Sequence, residues 1–240
     1  MRILRSEFLK LVSVRTTWLL LGGMLLIEGL YAGLVAGLVS ENKLRGRDVS
    51  QLLAGTPLTT VFVFTLGALL ATNEFRHGTA NSTFVITPQR ERVIAAKLAV
   101  GFVAGLVAAL QFIAINAGLG LAVLSSRNVP VEGDTAVNIY IGVGIGMILA
   151  CMFGVGLGAT LRNQIVTVVT GLAVFFVLRG IALLLGDPGT YFPAESLAAL
   201  QGAVGRDFLL SQVDGGLVFG GYCVFFAVAG ITLARFREIT

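Results

Sequence analysis

Six long apolar runs, divided by short polar segments, set the pattern of the chain: about residues 18 to 39, 55 to 72, 94 to 124, 138 to 160, 165 to 185 and 214 to 234. A helix rising 1.5 Å per residue needs about 20 such residues to cross a ~30 Å hydrocarbon core. In lipid only a helix or a closed barrel satisfies every backbone donor and acceptor, and runs of this length predict helices. The expected fold is an all-α integral membrane protein, one domain over residues 1–240 with six transmembrane helices. No A-x-A-like cleavage site follows the first run, which is therefore expected to remain as a span.

Three polar stretches depart from simple loops. The N-terminal stretch, 1–17, reads "RILRSEFLKLVSVRTT" from Arg2, with Trp18 following it. It places Leu4, Phe8, Leu11 and Val12 on one helical face and Arg2, Arg5, Ser6 and Ser13 opposite, predicting a helix that lies on the membrane surface. Glu7 and Arg15 fall near the apolar face and weaken that pattern. Between spans five and six, residues 186–213 open with Asp187-Pro188-Gly189, a helix breaker, and then offer Glu195 to Val204 as a short helix. A re-entrant or surface helix is expected there, with a solvated loop as the alternative. Between spans two and three, residues 73–93 and the start of the next helix form a charged island, "NEFRHGTANSTFVITPQRERVIAAK". Gly78 suits the end of a span, Thr79 suits a cap, and Pro88 discourages continuation, so a compact helix near Thr79 to Ile86 is predicted. Phe84, Val85 and Ile86 give it an apolar face suited to a protein partner.

Composition agrees with the pattern: 56% of residues are hydrophobic and 12% charged, with a mean hydropathy of +0.90, against about 25% charged in soluble domains. With six spans both termini share a side. That side, with the island, holds eleven of the seventeen basic residues, which predicts that it faces the cytoplasm of a plasma membrane. The net charge of +4 requires no nucleic acid. Cys151 and Cys223 lie within apolar runs and read as small buried hydrophobes. His77 is the only histidine, so no histidine-based zinc cluster can form and no hydrolase constellation is evident. Glycines four apart, at Gly29, Gly33 and Gly37, Gly101 and Gly105, Gly142 and Gly146, and Gly154 and Gly158, predict close helix packing within the bundle.

Several polar residues fall at membrane depth. Glu28 lies ten residues after Trp18, about 15 Å along a helix. An isolated charge there costs roughly 2.5–3.5 kcal/mol on insertion scales, so Glu28 must be protonated, partnered or facing a wet cavity. Substrate-path and structural roles are both open for it. Gln111 and Asn116 in span three, and Thr56, Thr59, Thr60 and Thr65 in span two, are milder candidates, the threonines having their own helix carbonyls as an alternative.

The order Glu74, Gly78-Thr79, Pro88 with Arg90, and Ala96-Lys97 after span two resembles the membrane permeases of type 2 ATP-binding-cassette exporters. The surface helix, six spans and helical outer segment extend the likeness over the whole chain. The resemblance implies that the island is a coupling element seated in a separate ATPase, with Glu74, Phe75, Arg76, Gly78, Thr79, Phe84, Pro88, Arg90 and Lys97 as its residues. It implies two cytoplasmic P-loop ATPase subunits and a second permease copy or paralogue in the lipid bilayer. It also implies export of an amphipathic drug, antibiotic, peptide or lipid. Spans two and five would face the pathway, placing Thr56, Thr59, Thr60, Phe175, Phe176 and Arg179 beside it with Glu28 and Asn116; Arg179 is open to snorkelling or to guarding an exit. The chain has no G-x-x-x-x-G-K-[ST] motif, so it is expected to be no enzyme, to hold no cofactor or metal, and to leave ATP and Mg²⁺ to the partner. An ion-coupled carrier using Glu28 and a non-transporting membrane scaffold are the competing classes.

Overall fold

The computed structural model describes residues 2–38, 47–76, 90–129, 131, 133–202 and 210–236. The predicted short helix near Thr79 to Ile86, with Gly78, Thr79, Phe84 and Pro88, lies outside the described residues. Among those described there is no strand, and six helices are long and apolar enough to span a membrane: Arg15–Val35, Val49–Arg76, Glu91–Ser126, Gly133–Leu161, Gln164–Leu185 and Gln212–Arg235. The protein is an all-α multi-pass membrane protein.

Helix α1 (Arg2–Ser13) is separated by Val14 from α2 (Arg15–Leu38), the first span. The Trp18 indole N–H donates to Val12 O at 2.8 Å and fixes the corner. On α1 the residues turned into the bundle are Glu7 and Leu11, whereas Leu4, Phe8 and Val12 stay exposed. The apolar face expected from the sequence is therefore split: Leu11 packs on protein, and the remainder is available to a membrane surface.

Span two is two helices end to end, α3 (Arg47–Ala54) and α4 (Pro57–Arg76). The sequence pattern began this span at residue 55 and left 47–54 in a loop. α3 instead buries Val49, Leu52 and Leu53, the i, i+3, i+4 spacing of one helical face. The chain breaks because Gly55 is left-handed, with φ +74°, a conformation glycine adopts without steric cost. Pro57 then starts a new helix at the position where its missing N–H is harmless.

Span three, α5 (Arg90–Ser126), has 37 residues, about 55 Å. It is much longer than the hydrocarbon core, so its ends protrude. Span four, α6 (Gly133–Leu161), is the centre of the bundle and packs against spans two, three and six. Its crossing with span two brings backbones together: a Cβ on Gly67 would collide with the Cys151 carbonyl, and one on Gly154 with the Phe64 carbonyl. The Gly101 and Gly105, Gly142 and Gly146, and Gly154 and Gly158 pairs all meet neighbouring helices, whereas Gly29 and Gly33 face open space.

Span five comprises α7 (Gln164–Leu172), a stretch of π-helix (Ala173–Val177) and α8 (Leu178–Leu185). After a 3-10 turn (Asp187–Tyr191), α9 (Pro193–Leu200) follows. All its residues are buried, packed mainly against α10 (Gln212–Phe236), the sixth span. Phe64, Phe153, Phe175 and Phe219 form an aromatic core joining spans two, four, five and six, with centroid separations from 5.4 to 6.4 Å.

Candidate functional site

Two buried polar centres and one small cleft hold most of the polar residues expected to matter. The first centre lies where α1 meets the end of α4 and the beginning of α5. Lys97 Nζ is 2.7 Å from Glu7 Oε2 and 3.3 Å from Glu74 Oε1. Lys10 Nζ is 2.6 Å from Glu7 Oε1 and 2.5 Å from Glu74 Oε1. Two acids thus alternate with two bases, and Lys97 also donates to Leu70 O at 3.2 Å. Glu7, Glu74 and Lys97 have side chains 2%, 8% and 6% exposed, Lys10 44%. Charges this deep are tolerated only when paired and hydrogen-bonded. Partial burial acts to lower the Lys10 pKa, but its bonds and attraction to Glu7 and Glu74 prevail and raise it above the ordinary lysine value. The quartet explains why Glu7 occupies the inward face of α1: it is that helix's anchor.

The second centre closes the break in span two. Glu28 Oε1, on span one, accepts from the Thr59 hydroxyl and from the Thr56 backbone N–H at 3.5 Å. A carboxyl group from another helix therefore holds the Thr56 N–H just ahead of α4 and the Thr59 hydroxyl in its first turn, while the Thr59 N–H is satisfied locally by Thr56 O at 3.1 Å. On the other side of the break, Asn116 Nδ2 donates to Leu52 O at 3.1 Å, and the Tyr140 hydroxyl donates to Asn116 Oδ1 at 3.2 Å. Spans one, three and four thus each contribute to the repair. Glu28 is 2% exposed, and its Oε2 is buried without a hydrogen-bond partner.

The cleft lies beside this break, between spans two and five and α9. It is lined by Thr56, Thr60, Phe175, Arg179, Ala198 and Gln201 and holds about 70 Å³. Gln201 Nε2 donates to Thr60 Oγ1 at 3.2 Å, and Arg179 Nε donates to Glu195 Oε1 at 3.1 Å. Sites for drug-sized molecules occupy about 300–1,000 Å³, so the cleft accommodates water and no larger cargo in this conformation.

The residues assigned by sequence to a substrate path therefore separate. Glu28, Thr56, Thr59 and Asn116 converge on the helix break. Thr56, Thr60, Phe175 and Arg179 line the cleft. Phe175 is mostly core, edge-on to Phe64 at 5.4 Å, while Phe176 points away and is 46% exposed. The residues assigned to coupling separate too. Glu74 and Lys97 enter the quartet, Arg90 opens α5, and Phe75 and Arg76 turn toward span five, where Arg76 Nη1 donates to Gln164 Oε1 at 3.4 Å. Lys10, Tyr140, Glu195 and Gln201 were not singled out as functional residues. Of their contacts, only the Glu7–Lys10 spacing of three has a local signal in sequence. Gln111, by contrast, simply ties spans three and one by donating to Leu21 O at 2.8 Å. No protein-family model matches the chain, and no curated protein matches it.

Proposed function

We propose that this protein is the membrane-spanning permease subunit of an ATP-driven exporter, working as a pair of permeases with two separate P-loop ATPase subunits on the cytoplasmic side. The observation that carries the reading is the quartet. It ties the surface helix α1 to the two span ends that bracket residues 77–89, so force applied to that segment reaches α1 and spans two and three together. A joint that links three helices in this way suits a polypeptide driven by an external motor. The charge asymmetry favours a cytoplasmic position for that end. The small size of the cleft within one chain favours a cargo path assembled between two copies. Closure of the ATPases would switch the bundle between inward-open and outward-open arrangements, and the cargo class is an amphipathic drug, antibiotic, peptide or lipid.

Reconstitution of the full chain in liposomes with a co-purifying P-loop ATPase tests this. Cargo export should require ATP and fall to background with Phe84→Asp, which also abolishes ATPase binding. Equal transport in liposomes lacking any ATPase would overturn the reading.

One observation favours a second reading, an ion-coupled carrier: the unpartnered Oε2 of Glu28 is a place for a proton. In that case an imposed proton gradient would drive uptake or release without ATPase, and Glu28→Gln would stop it.

A further inference from the structure

We propose that the wedge between the α1-end termini of spans two and five binds the phosphate head group of an anionic phospholipid, with its acyl chains lying along span five. The wedge has a volume of about 530 Å³ and is lined by Phe75 and Arg76 from the last turn of α4, and by Arg162, Gln164, Ile165 and Val169 from the turn and first helix of span five. Among the described residues, none that lines it is acidic.

The two arginines come from different elements and are held in place by their surroundings. Arg162 occupies the tight turn between spans four and five with φ +53°, and its Nη2 donates to Leu233 O in span six at 2.9 Å. Arg76 is steadied by its 3.4 Å bond to Gln164 Oε1. Guanidinium groups present planar, forked donors that match phosphate oxygens. Both lie at the ends of spanning helices, the depth of lipid head groups, where basic pockets between helices select anionic lipids. The apolar wall distinguishes a lipid from free phosphate. Ile165 is 76% exposed and Val169 58%; they gain nothing from an inorganic anion but would be covered by an acyl chain. This inference needs the six spans but not the exporter reading.

Native mass spectrometry of the detergent-purified full chain, titrated with phosphatidylglycerol, phosphatidylcholine or glycerol phosphate, provides the test. Phosphatidylglycerol should be retained in preference to phosphatidylcholine. Substitution Arg76→Gln should weaken it roughly fivefold, and the pair with Arg162→Gln by about 25-fold, while Arg127→Gln at the opposite end leaves it unchanged. Because Arg162 also braces span six, Gln164→Glu supplies an independent variant. A carboxylate in the first turn of α7 suits the helix dipole, so the fold is retained while phosphate is repelled, and phosphatidylglycerol retention should be lost. Equal retention of both lipids, unchanged retention in Gln164→Glu, or displacement of phosphatidylglycerol by an equal concentration of glycerol phosphate would each overturn the proposal.

Discussion

The Glu7–Lys10–Glu74–Lys97 quartet and the Glu28 junction both bury carboxyl groups, and they solve the cost in different ways. The quartet sets two acids against two bases, so its charges neutralise one another and the attraction pulls three helices into one corner. The junction has a single carboxyl group among neutral donors, and its function is geometric: it satisfies backbone groups that the break at Gly55 leaves open. Charge pairing makes a joint that is strong and intolerant of losing a member. Hydrogen-bond repair makes a joint that depends on shape and number of donors more than on charge.

Removing a member of the quartet is expected to have the largest effect. Lys97→Met takes the most deeply buried positive charge away from Glu7 and Glu74, a loss of about 3–5 kcal/mol by the usual cost of breaking a buried ion pair. Thermal unfolding in detergent should show it. The loss should shrink when Glu7→Gln is added, since one stranded charge is then gone. No recovery in the double variant would mean that the charges are not coupled, and the contrast with the junction would fail.

At the junction, Asn116→Leu leaves Leu52 O with only the longer 3.3 Å bond from the Gly55 N–H and takes the acceptor from the Tyr140 hydroxyl, a smaller loss of about 1–3 kcal/mol. The same unfolding measurement ranks it against Lys97→Met. A larger loss than Lys97→Met would reverse the order of the two centres.

The quartet should also respond to alkali. The folded-state pKa of Lys10 is raised, so its stabilising contribution is complete below the unfolded lysine value of about 10.4 and is lost as pH rises through the folded value. Trp18 is the only tryptophan and is hydrogen-bonded to the end of α1. Its fluorescence should therefore shift reversibly above about pH 10.4 as α1 loosens, and the transition should move to lower pH in Glu7→Gln, which takes away one of the groups holding the proton. A flat response through that range would show that Lys10 is not bound to the quartet.

The smallest effect is expected from Glu28→Gln. The amide oxygen still accepts from Thr56 and Thr59, so stability should change by no more than about 1 kcal/mol. A loss as large as that of Lys97→Met would show that Glu28 is held by charge after all, and would erase the distinction between the two centres.

Much of this architecture was legible because hydropathy is a local signal. Each span shows itself as a run of apolar residues, and α1 shows itself by its periodicity, with Glu7 already visible as an anomaly on the wrong face. The break in span two was half legible. Gly55 and Pro57 are recognisable breakers, but the helix before them begins among the charged residues Arg47 and Asp48 and was hidden by their polarity. The polar centres were less legible. Glu28, Thr59 and Asn116 each stood out as polar at membrane depth, yet nothing in their spacing joins them, because the contacts span 31 residues from Glu28 to Thr59 and 64 from Leu52 to Asn116. Glu74 and Lys97 stood out for a different reason, a resemblance that led us to expect an external partner for them, whereas the fold pairs them with Glu7 and Lys10.

The sequence by itself determined the number of spans, the helical class and the short N-terminal helix, since lipid forces each spanning segment to satisfy its own backbone and cover itself with apolar side chains whatever its neighbours do. Tertiary structure decided which polar side chains meet, where span two breaks, and why those buried groups are tolerated. A hydrogen bond or ion pair between distant helices exists only once packing has brought both partners within about 3 Å.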